Sequence, residues 1–508
     1  DQTRKDASIK ASGADSNTFR EMLFFALTEH PGARIIIKTH PETAAGHRDG
    51  YFTKDDETRQ ISICDDPVSP WALMEGAIAV YTVSSQMGFE AILADHKPVV
   101  FGQPFYCGWG LTDDRTPLQR RQRTLTRAQL FAAAMILYPT WYDPFHDRLC
   151  SFEEAAATMT AQAEAWRDDY RGWVAADMRL WKRKPLQQVF GASKPVVFTK
   201  AAKAVSKATK TNRRVMQWAS KASIDDAVLV EDGFLRSRGL GADLIAPLSL
   251  VLDDLGIYYD ATRPSRLETL INASDKLDEG AKSRATALVD RIVDARLSKY
   301  NLSNLADLQD LPKGRRILVP GQVEDDASIR LGTTDVSTNR DLLRAVRDAN
   351  PAAMIAFKPH PDVETGLRPG KVTDAAAFAD VILDQTDPIA ALDHVDEVWT
   401  MTSLLGFEAL LRGKAVTCLG SPFYAHWGLT DDRAMPIPRR ATRVELAGLV
   451  HAALIAYPRY YDPITGLACP VEVIVDRLEN DDVPQPGRMN RTVAKFQGMF
   501  ASFAYAWR

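Results

Sequence analysis

A long internal duplication restricts what this chain can fold into more than any other feature of it. KTHPE at 38–42 returns as KPHPD at 358–362, 320 positions further on. SSQMGFEAILADHKPVVFGQPFYCGWGLTDDR at 84–115 returns as TSLLGFEALLRGKAVTCLGSPFYAHWGLTDDR at 402–433, an interval of 318, and YPTWYDP at 138–144 returns as YPRYYDP at 457–463 after 319. DASI at 6–9 recurs at 326–329, so the match runs back almost to residue 1. Solenoid repeats are much shorter, up to about 50 residues, so this is duplication of a whole domain. The segment 190–320 that precedes the second copy has no counterpart ahead of the first. The expected organisation is the trailing half of one module, a connector and a complete second module, and a start at Asp1 rather than Met fits a piece of a longer chain.

Within each copy short β-rich runs alternate with helical patterns. ARIIIKTHP (33–41) and AMIAFKPHP (353–361) are apolar runs that end in polar residues, as buried parallel strands do at the rim of a site. DEVWTMTS (396–403) reads as a strand with a Thr/Ser cap, LLGFEALLRG as the following helix and KAVTCLG (414–420) as the next strand. Such βαβ series predict an α/β, doubly wound sheet. KPVVFTK, RVMQWAS and DAVLVEDGF supply a second series upstream, so module two is expected to hold two Rossmann-like lobes facing a cleft.

Composition excludes several classes. With 508 residues, 45% hydrophobic and 25% charged, the chain is ordinary for a globular protein of about three domains. Lys+Arg 62 against Asp+Glu 66 leaves a net charge of -4, without the basic field that nucleic acid requires. Five scattered cysteines (Cys64, Cys107, Cys150, Cys418, Cys469) contain no Cys-x-x-Cys, so neither a disulfide framework nor a zinc knuckle is indicated and a reducing cytoplasm is expected. No apolar window approaches a membrane span of about 18 residues, and DQTRKDASIK lacks a signal-peptide core. WKRKPLQQVF (181–190) and AKFQGMFASFAYAWR (494–508) mix aromatic with basic residues and are candidates for membrane-surface contact, although packed helices with solvated basic edges are the commoner outcome.

The candidate chemistry gathers at strand ends. Thr402 and Ser403, with Ser84 and Ser85 in the first copy, sit where a strand hands over to a helix, so hydroxyls and backbone N–H groups can receive a phosphate there; plain N-capping is the alternative. His360 and His40 precede a proline that fixes the backbone, and each has a lysine two residues back, Lys358 and Lys38. A rim histidine can donate a hydrogen bond to a leaving phosphate oxygen, and a turn-capping role competes with that reading. Glu408 and Glu90 lie in GFEA, early in the helix, where a carboxylate can accept ribose hydroxyls. Glu231 and Asp232 end the run AVLV and can supply a base or nucleophile and its partner, while Arg236 and Arg238 are candidates for an anionic sugar carboxylate. No P-loop, G-x-S-x-G, H-E-x-x-H or EF-hand pattern is present, so no metal is expected.

EDGFLRSRGLG, PLSLVLDDLGIYYDATRPSRLE, PGQVEDDASI, KPHPD and GFEALLRGKAVTCLGSPFYAHWGLTDDR together resemble the KpsC-type capsule polysaccharide proteins, the dual-module β-Kdo transferases. The resemblance implies GT-B glycosyltransferase modules that use CMP-Kdo as donor. Such modules extend a poly-Kdo linker on a lyso-phosphatidylglycerol anchor, or on a Kdo-terminated glycolipid, for capsule export. It implies Asp232 as the catalytic carboxylate and nucleophile of a retaining reaction, with Glu231 beside it and His360 at the CMP phosphate. Lys358, Thr402, Ser403, Gly406, Glu408 and Gln322 would then bind the donor. The implied domains are a donor-type lobe of module one (1–150), a helical connector (151–189), an acceptor-side lobe (190–318), a CMP-sugar lobe (319–465) and a helical C-terminal segment (466–508). The implied location is the cytoplasm, peripheral to the inner membrane and its export machinery. A polyol-phosphate transferase of teichoic-acid type, or a nucleotide-binding scaffold role for the first half module, would share the His-Pro and phosphate-loop features.

Overall fold

The computed structural model describes residues 1–239, 245–301, 311–366 and 368–484. It divides into two compact units, Asp1–Tyr142 with Leu149–Phe152, and Asp143–Arg148 with Glu153 onward.

In the second unit the short apolar runs form two sheets. Trp173–Ala176, Val197–Thr199, Arg214–Trp218 and Val228–Asp232 are parallel strands of a seven-stranded sheet. Ser249–Asp253, Pro458–Tyr461 and Ala468–Cys469 complete it in antiparallel register. The six-stranded sheet is wholly parallel, in the order Val381–Ile382, Met354–Lys358, Arg316–Pro320, Glu397–Thr400, Ala415–Cys418, Asp431–Asp432. Numbered along the chain this is the 3-2-1-4-5-6 order of a dinucleotide-type Rossmann fold, whose ligand crevice opens where the order reverses. Here the reversal lies between Arg316–Pro320 and Glu397–Thr400, which pair directly. The two sheets are the two lobes of a GT-B-like module.

The domain boundaries differ from expectation at both ends of this unit. Residues 151–189 are not a purely helical connector, because Trp173–Ala176 is a fully buried strand of the seven-stranded sheet. Helix Leu180–Phe190 packs Leu186, Val189 and Phe190 against the same sheet, so the apolar side of WKRKPLQQVF faces a protein core rather than a membrane. Four apolar residues between two helical patterns give too weak a periodic signal to be read as a strand. At the far end the chain leaves the six-stranded lobe before 465, and Pro458–Tyr461 and Ala468–Cys469 return to the seven-stranded sheet. Helix Val471–Glu479 follows, and AKFQGMFASFAYAWR lies outside the described residues.

The lobes are tied by a buried ion triad. Glu268, in helix Arg266–Ala273, accepts from Arg439 and Arg440 at 2.7 Å each, and the Glu268 and Arg440 side chains are 5% and 1% exposed. Arg440 also donates to the carbonyls of Pro422 and Ala425, in the loop after Ala415–Cys418.

In the first unit, strands stand at the positions the duplication dictates. Ile35–Lys38 pairs with Ile61–Cys64, and Tyr81–Thr82, Val99–Val100 and Asp113–Asp114 form a separate parallel set. In the six-stranded sheet the corresponding groups are joined by Arg316–Pro320, whose counterpart at this offset falls ahead of residue 1. The fidelity extends to a π-helical turn present in both copies, Ala132–Leu137 and His451–Ala456.

Removing one partner of a buried ion cluster leaves uncompensated charge and costs about 3–5 kcal/mol. Glu268→Gln is therefore expected to lower the unfolding free energy of the second unit, read from its urea transition, by that amount, whereas Arg344→Gln, in an exposed pair with Asp341, lowers it by less than about 1 kcal/mol.

Candidate functional site

At the switch point Gln322 stands two residues past the first strand, Arg316–Pro320. Its side-chain Nε2 donates to Thr402 Oγ1 at 2.9 Å, and its Oε1 accepts from the Thr402 N–H at 2.9 Å. Asn339 fixes the Gln322 backbone from both sides, its Oδ1 accepting the N–H and its Nδ2 donating to the carbonyl, each at 2.8 Å. Ser403 caps helix Leu404–Leu411 by accepting the Leu405 N–H at 3.2 Å. Backbone N–H groups at this helix start are thereby turned toward the crevice, where an anion is favoured.

His360 stands at the end of Met354–Lys358 and caps helix Pro361–Glu364, its Nδ1 accepting the Asp362 N–H at 3.1 Å. A ring that accepts at Nδ1 carries its neutral-state proton on Nε2. Burial pushes the His360 pKa down, against the raising influence of Asp362 and Asp326, so near neutral pH the ring is an uncharged N–H donor. Lys358 is buried, and that burial lowers the pKa of its ammonium.

Facing these groups across a cavity of about 1000 Å³ are Glu231 and Asp232, the last residues of Val228–Asp232. That volume is at the upper end for small-molecule sites. Asp232 Oδ2 accepts from Arg236 Nε at 2.7 Å, and the arginine is itself held by Ser237 Oγ at 2.8 Å and the Ile245 carbonyl at 3.2 Å. Among the described residues nothing donates to Oδ1, which is left to the cavity. Glu231 Oε1 accepts the Asp232 N–H at 3.1 Å. Burial, then the neighbouring Asp232 charge, push the Glu231 pKa up to about 7, with Lys182 opposing. Lys182 lies over the Trp218 ring, and burial brings its pKa down to about 8 against the pull of both carboxylates. The floor is aromatic: Phe234 meets Phe423 with centroids 4.6 Å apart and Tyr258 at 4.8 Å.

One wall thus holds anion-binding donors and the other a fixed carboxylate beside a second one of raised pKa. This is the equipment for substitution at a carbon bearing a phosphate leaving group. Residues 1–140, 206–301 and 278–460 match the family described as capsule polysaccharide biosynthesis protein. The chain belongs to this family. It is 39% identical over 530 residues to the capsule polysaccharide modification protein LipA of Neisseria meningitidis serogroup B, covering 99% of this chain and 75% of LipA. It is 46% identical over 263 residues to the lipopolysaccharide-processing protein LpsZ of Rhizobium meliloti, covering 50% of this chain and 60% of LpsZ. Two solved structures from Thermosulfurimonas dismutans KpsC, its beta Kdo 2,7 and beta Kdo 2,4 transferases, are each 34% identical with a TM-score of 0.51. The first covers 61% of this chain and 99% of its own, the second 60% and 97%.

Several residues anticipated in this capsule-family chain stand elsewhere than expected. Arg236 is spent on Asp232 and does not line the cavity. Arg238 donates to the Leu478 carbonyl and pairs with Asp481, so neither arginine is turned to a sugar carboxylate. Gly406 also lies off the cavity: a Cβ there would sit 2.2 Å from Tyr424 Oη, which donates to the Ser403 carbonyl, so the glycine makes room for the group that braces the Ser403 loop. Glu408 lines the cavity, but its Oε1 is occupied by the Lys299 N–H at 2.9 Å, leaving one oxygen for a ligand hydroxyl; burial raises its pKa.

The first unit repeats the nucleotide-side geometry. Ser84 N–H donates to Gln2 Oε1 at 3.0 Å, His40 Nδ1 accepts the Glu42 N–H at 3.2 Å, and Ser85 Oγ accepts the Met87 N–H at 3.2 Å. Lys38 donates to the Thr39 and Cys64 carbonyls, and burial raises the pKa of Glu90. Gln2 was not singled out in the sequence, although the DASI register pairs it with Gln322. Lys182 and Lys299 carried no motif and became visible only once folded. Among the described residues no group of three or more His, Cys, Asp or Glu is placed to hold a metal ion.

Overpacking a tight backbone contact costs about 1–3 kcal/mol. Gly406→Ala is expected to lower the thermal midpoint measurably and to displace Tyr424, seen as a change in near-ultraviolet circular dichroism; an unaltered spectrum and midpoint would contradict the bracing role.

Proposed function

We propose that the second module is a β-Kdo glycosyltransferase of capsule biosynthesis that takes CMP-Kdo and extends a poly-Kdo linker on a lyso-phosphatidylglycerol anchor, with retention of configuration. The observation that carries this reading is the opposition of Asp232, with one oxygen fixed by Arg236 and the other open, to the His360 and Ser403 donors across one cavity. Identity to the KpsC transferases supports the substrate class.

In the first step Asp232 Oδ1 attacks the anomeric carbon, the carbon–phosphate-oxygen bond breaks, and CMP leaves with the electron pair. His360 Nε2–H, Lys358 and the N–H groups at the Ser403 helix start stabilise the phosphate as its charge grows. In the second step an acceptor hydroxyl oxygen attacks the same carbon, its proton passes to Glu231, and the bond to Asp232 breaks, restoring the carboxylate. Two inversions give net retention. CMP carries a single phosphate, which this donor set suits without a diphosphate clamp. No helix among the described residues is long and apolar enough to cross a membrane. In this reading the lipid-anchored acceptor is met at the cytoplasmic face of the membrane. The repeated Gln2–Ser84 and His40 geometry favours a second CMP-binding half in the first unit.

Asp232→Asn is expected to abolish addition of Kdo to a synthetic Kdo-terminated acceptor, followed by mass spectrometry, with CMP affinity kept and the thermal midpoint lowered, because buried Arg236 loses its counter-charge. Near-normal turnover by that variant overturns the nucleophile assignment, and transfer of phosphate together with the alcohol would favour the polyol-phosphate class. Because the Glu231 pKa lies near 7 and its ionised form is the base, kcat is expected to climb with pH to about 7 and level off above it. Glu231→Gln should remove that acidic limb along with most of the rate.

A further inference from the structure

Resting on that reading, we infer that Lys299 is the specificity-determining residue that binds the carboxylate of the donor sugar. A keto-acid sugar carries its carboxylate on the anomeric carbon itself. Attack by Asp232 therefore brings one anion against another in a partly dehydrated cleft, where like charges repel strongly. A cation beside the catalytic carboxylate is required, and its charge must be free to meet the ligand.

The cations near the site differ in what they are already doing. Arg236 is spent on Asp232, and Arg238 is held by Leu478 and Asp481. Lys182 lies over the Trp218 ring and does not line the cavity. Lys358 stands at the phosphate wall and Arg330 is exposed on helix Ala327–Gly332 of the same lobe. Lys299 lines the cavity, and its backbone is pinned to both walls. Its N–H donates to Glu408 at 2.9 Å, and its carbonyl accepts the N–H groups of Arg236 at 3.1 Å and Ser237 at 3.3 Å. The ammonium, by contrast, donates to no described residue and stands only loosely over the neighbouring Tyr300 ring, 5.4 Å from its centroid. Burial works against its charge, yet Tyr300, Asp232 and Glu231 together raise its pKa, so it stays protonated. The main chain does the structural task and the side chain is held in reserve for an anion at the position where the donor's carboxylate must lie.

The test uses the full chain, Lys299→Met and Lys299→Arg, with two readouts: CMP affinity by calorimetry, and competition of CMP-Kdo transfer by free Kdo against its methyl ester. The expected result is that the wild-type chain prefers the acid to the ester by about 30- to 100-fold, as a charge-assisted pair supplies. Lys299→Met should bring that ratio close to one and lower kcat/KM for CMP-Kdo by a similar factor. CMP affinity should remain within about threefold, and Lys299→Arg should recover part of the loss. A wild-type chain indifferent to the ester, or a Met variant that still discriminates, overturns the assignment, as does a Met variant that loses CMP affinity in proportion. If Met fails to fold, the Lys299→Gln ratio decides in the same way. Failure of the wild-type chain to bind CMP or to transfer Kdo would instead overturn the functional reading beneath it.

Discussion

The Glu268 carboxylate is the fixed point on which the second module's cleft depends. It neutralises Arg440, which is almost wholly removed from water, and that arginine in turn holds the carbonyls of Pro422 and Ala425. The loop so held presents Phe423 to the aromatic floor and Tyr424 to the Ser403 carbonyl. A charge on a helix of one lobe is therefore linked to the Ser403 loop on the other, through Arg440, the Pro422–Ala425 loop and Tyr424. Desolvating such a cluster is unfavourable in itself and its gain is definition of geometry. For a site whose two walls come from different lobes, that definition is what catalysis by positioning requires.

The duplication shows how much of this device is local. In the first unit Arg121 donates to the Pro104 and Cys107 carbonyls, and Tyr106 donates to the Ser85 carbonyl, so the same loop is braced in the same way. Gly88 leaves the space that Tyr106 occupies, as Gly406 does for Tyr424. The brace is thus encoded within one lobe by the spacing of Gly, Tyr and Arg. The counter-charge is not: Arg440 is answered by Glu268, from the segment that lies between the two copies.

What the sequence revealed follows the same division. Strand ends, the His-Pro caps, the Thr/Ser loop and the Glu231–Asp232 rim were legible because each is a short pattern with a local physical cause, and the duplication displayed most of the nucleotide side twice. Strand Trp173–Ala176 escaped because a buried strand of four residues has no periodicity to distinguish it from its helical neighbours. Arg236 and Arg238 were misread for a different reason. Arg236, four residues from Asp232, looks the same in sequence whether it turns to solvent, to a ligand or to that carboxylate, and Arg238 goes to Leu478 and Asp481, too far along the chain for any local pattern to show. Lys299 was silent because its significance lies in three backbone bonds to residues distant along the chain.

The electrostatics of the two walls share a direction. Burial lowers the His360 pKa and raises that of Glu231, so in the proposed mechanism both groups take their working form on the alkaline side of their transitions. In the proposed mechanism a protonated His360 would bind the anionic donor more tightly but would bind the released nucleotide more tightly too, and uniform binding adds nothing to the chemical step. A neutral ring whose Nδ1 is already occupied presents one directed Nε2–H, which strengthens as the phosphate oxygen gains charge and costs little reorientation. The same economy applies at Asp232, where Arg236 takes one oxygen and so orients the other. In both walls a backbone N–H or a buried arginine consumes the second valence of a two-sided group, leaving a single atom facing the cavity.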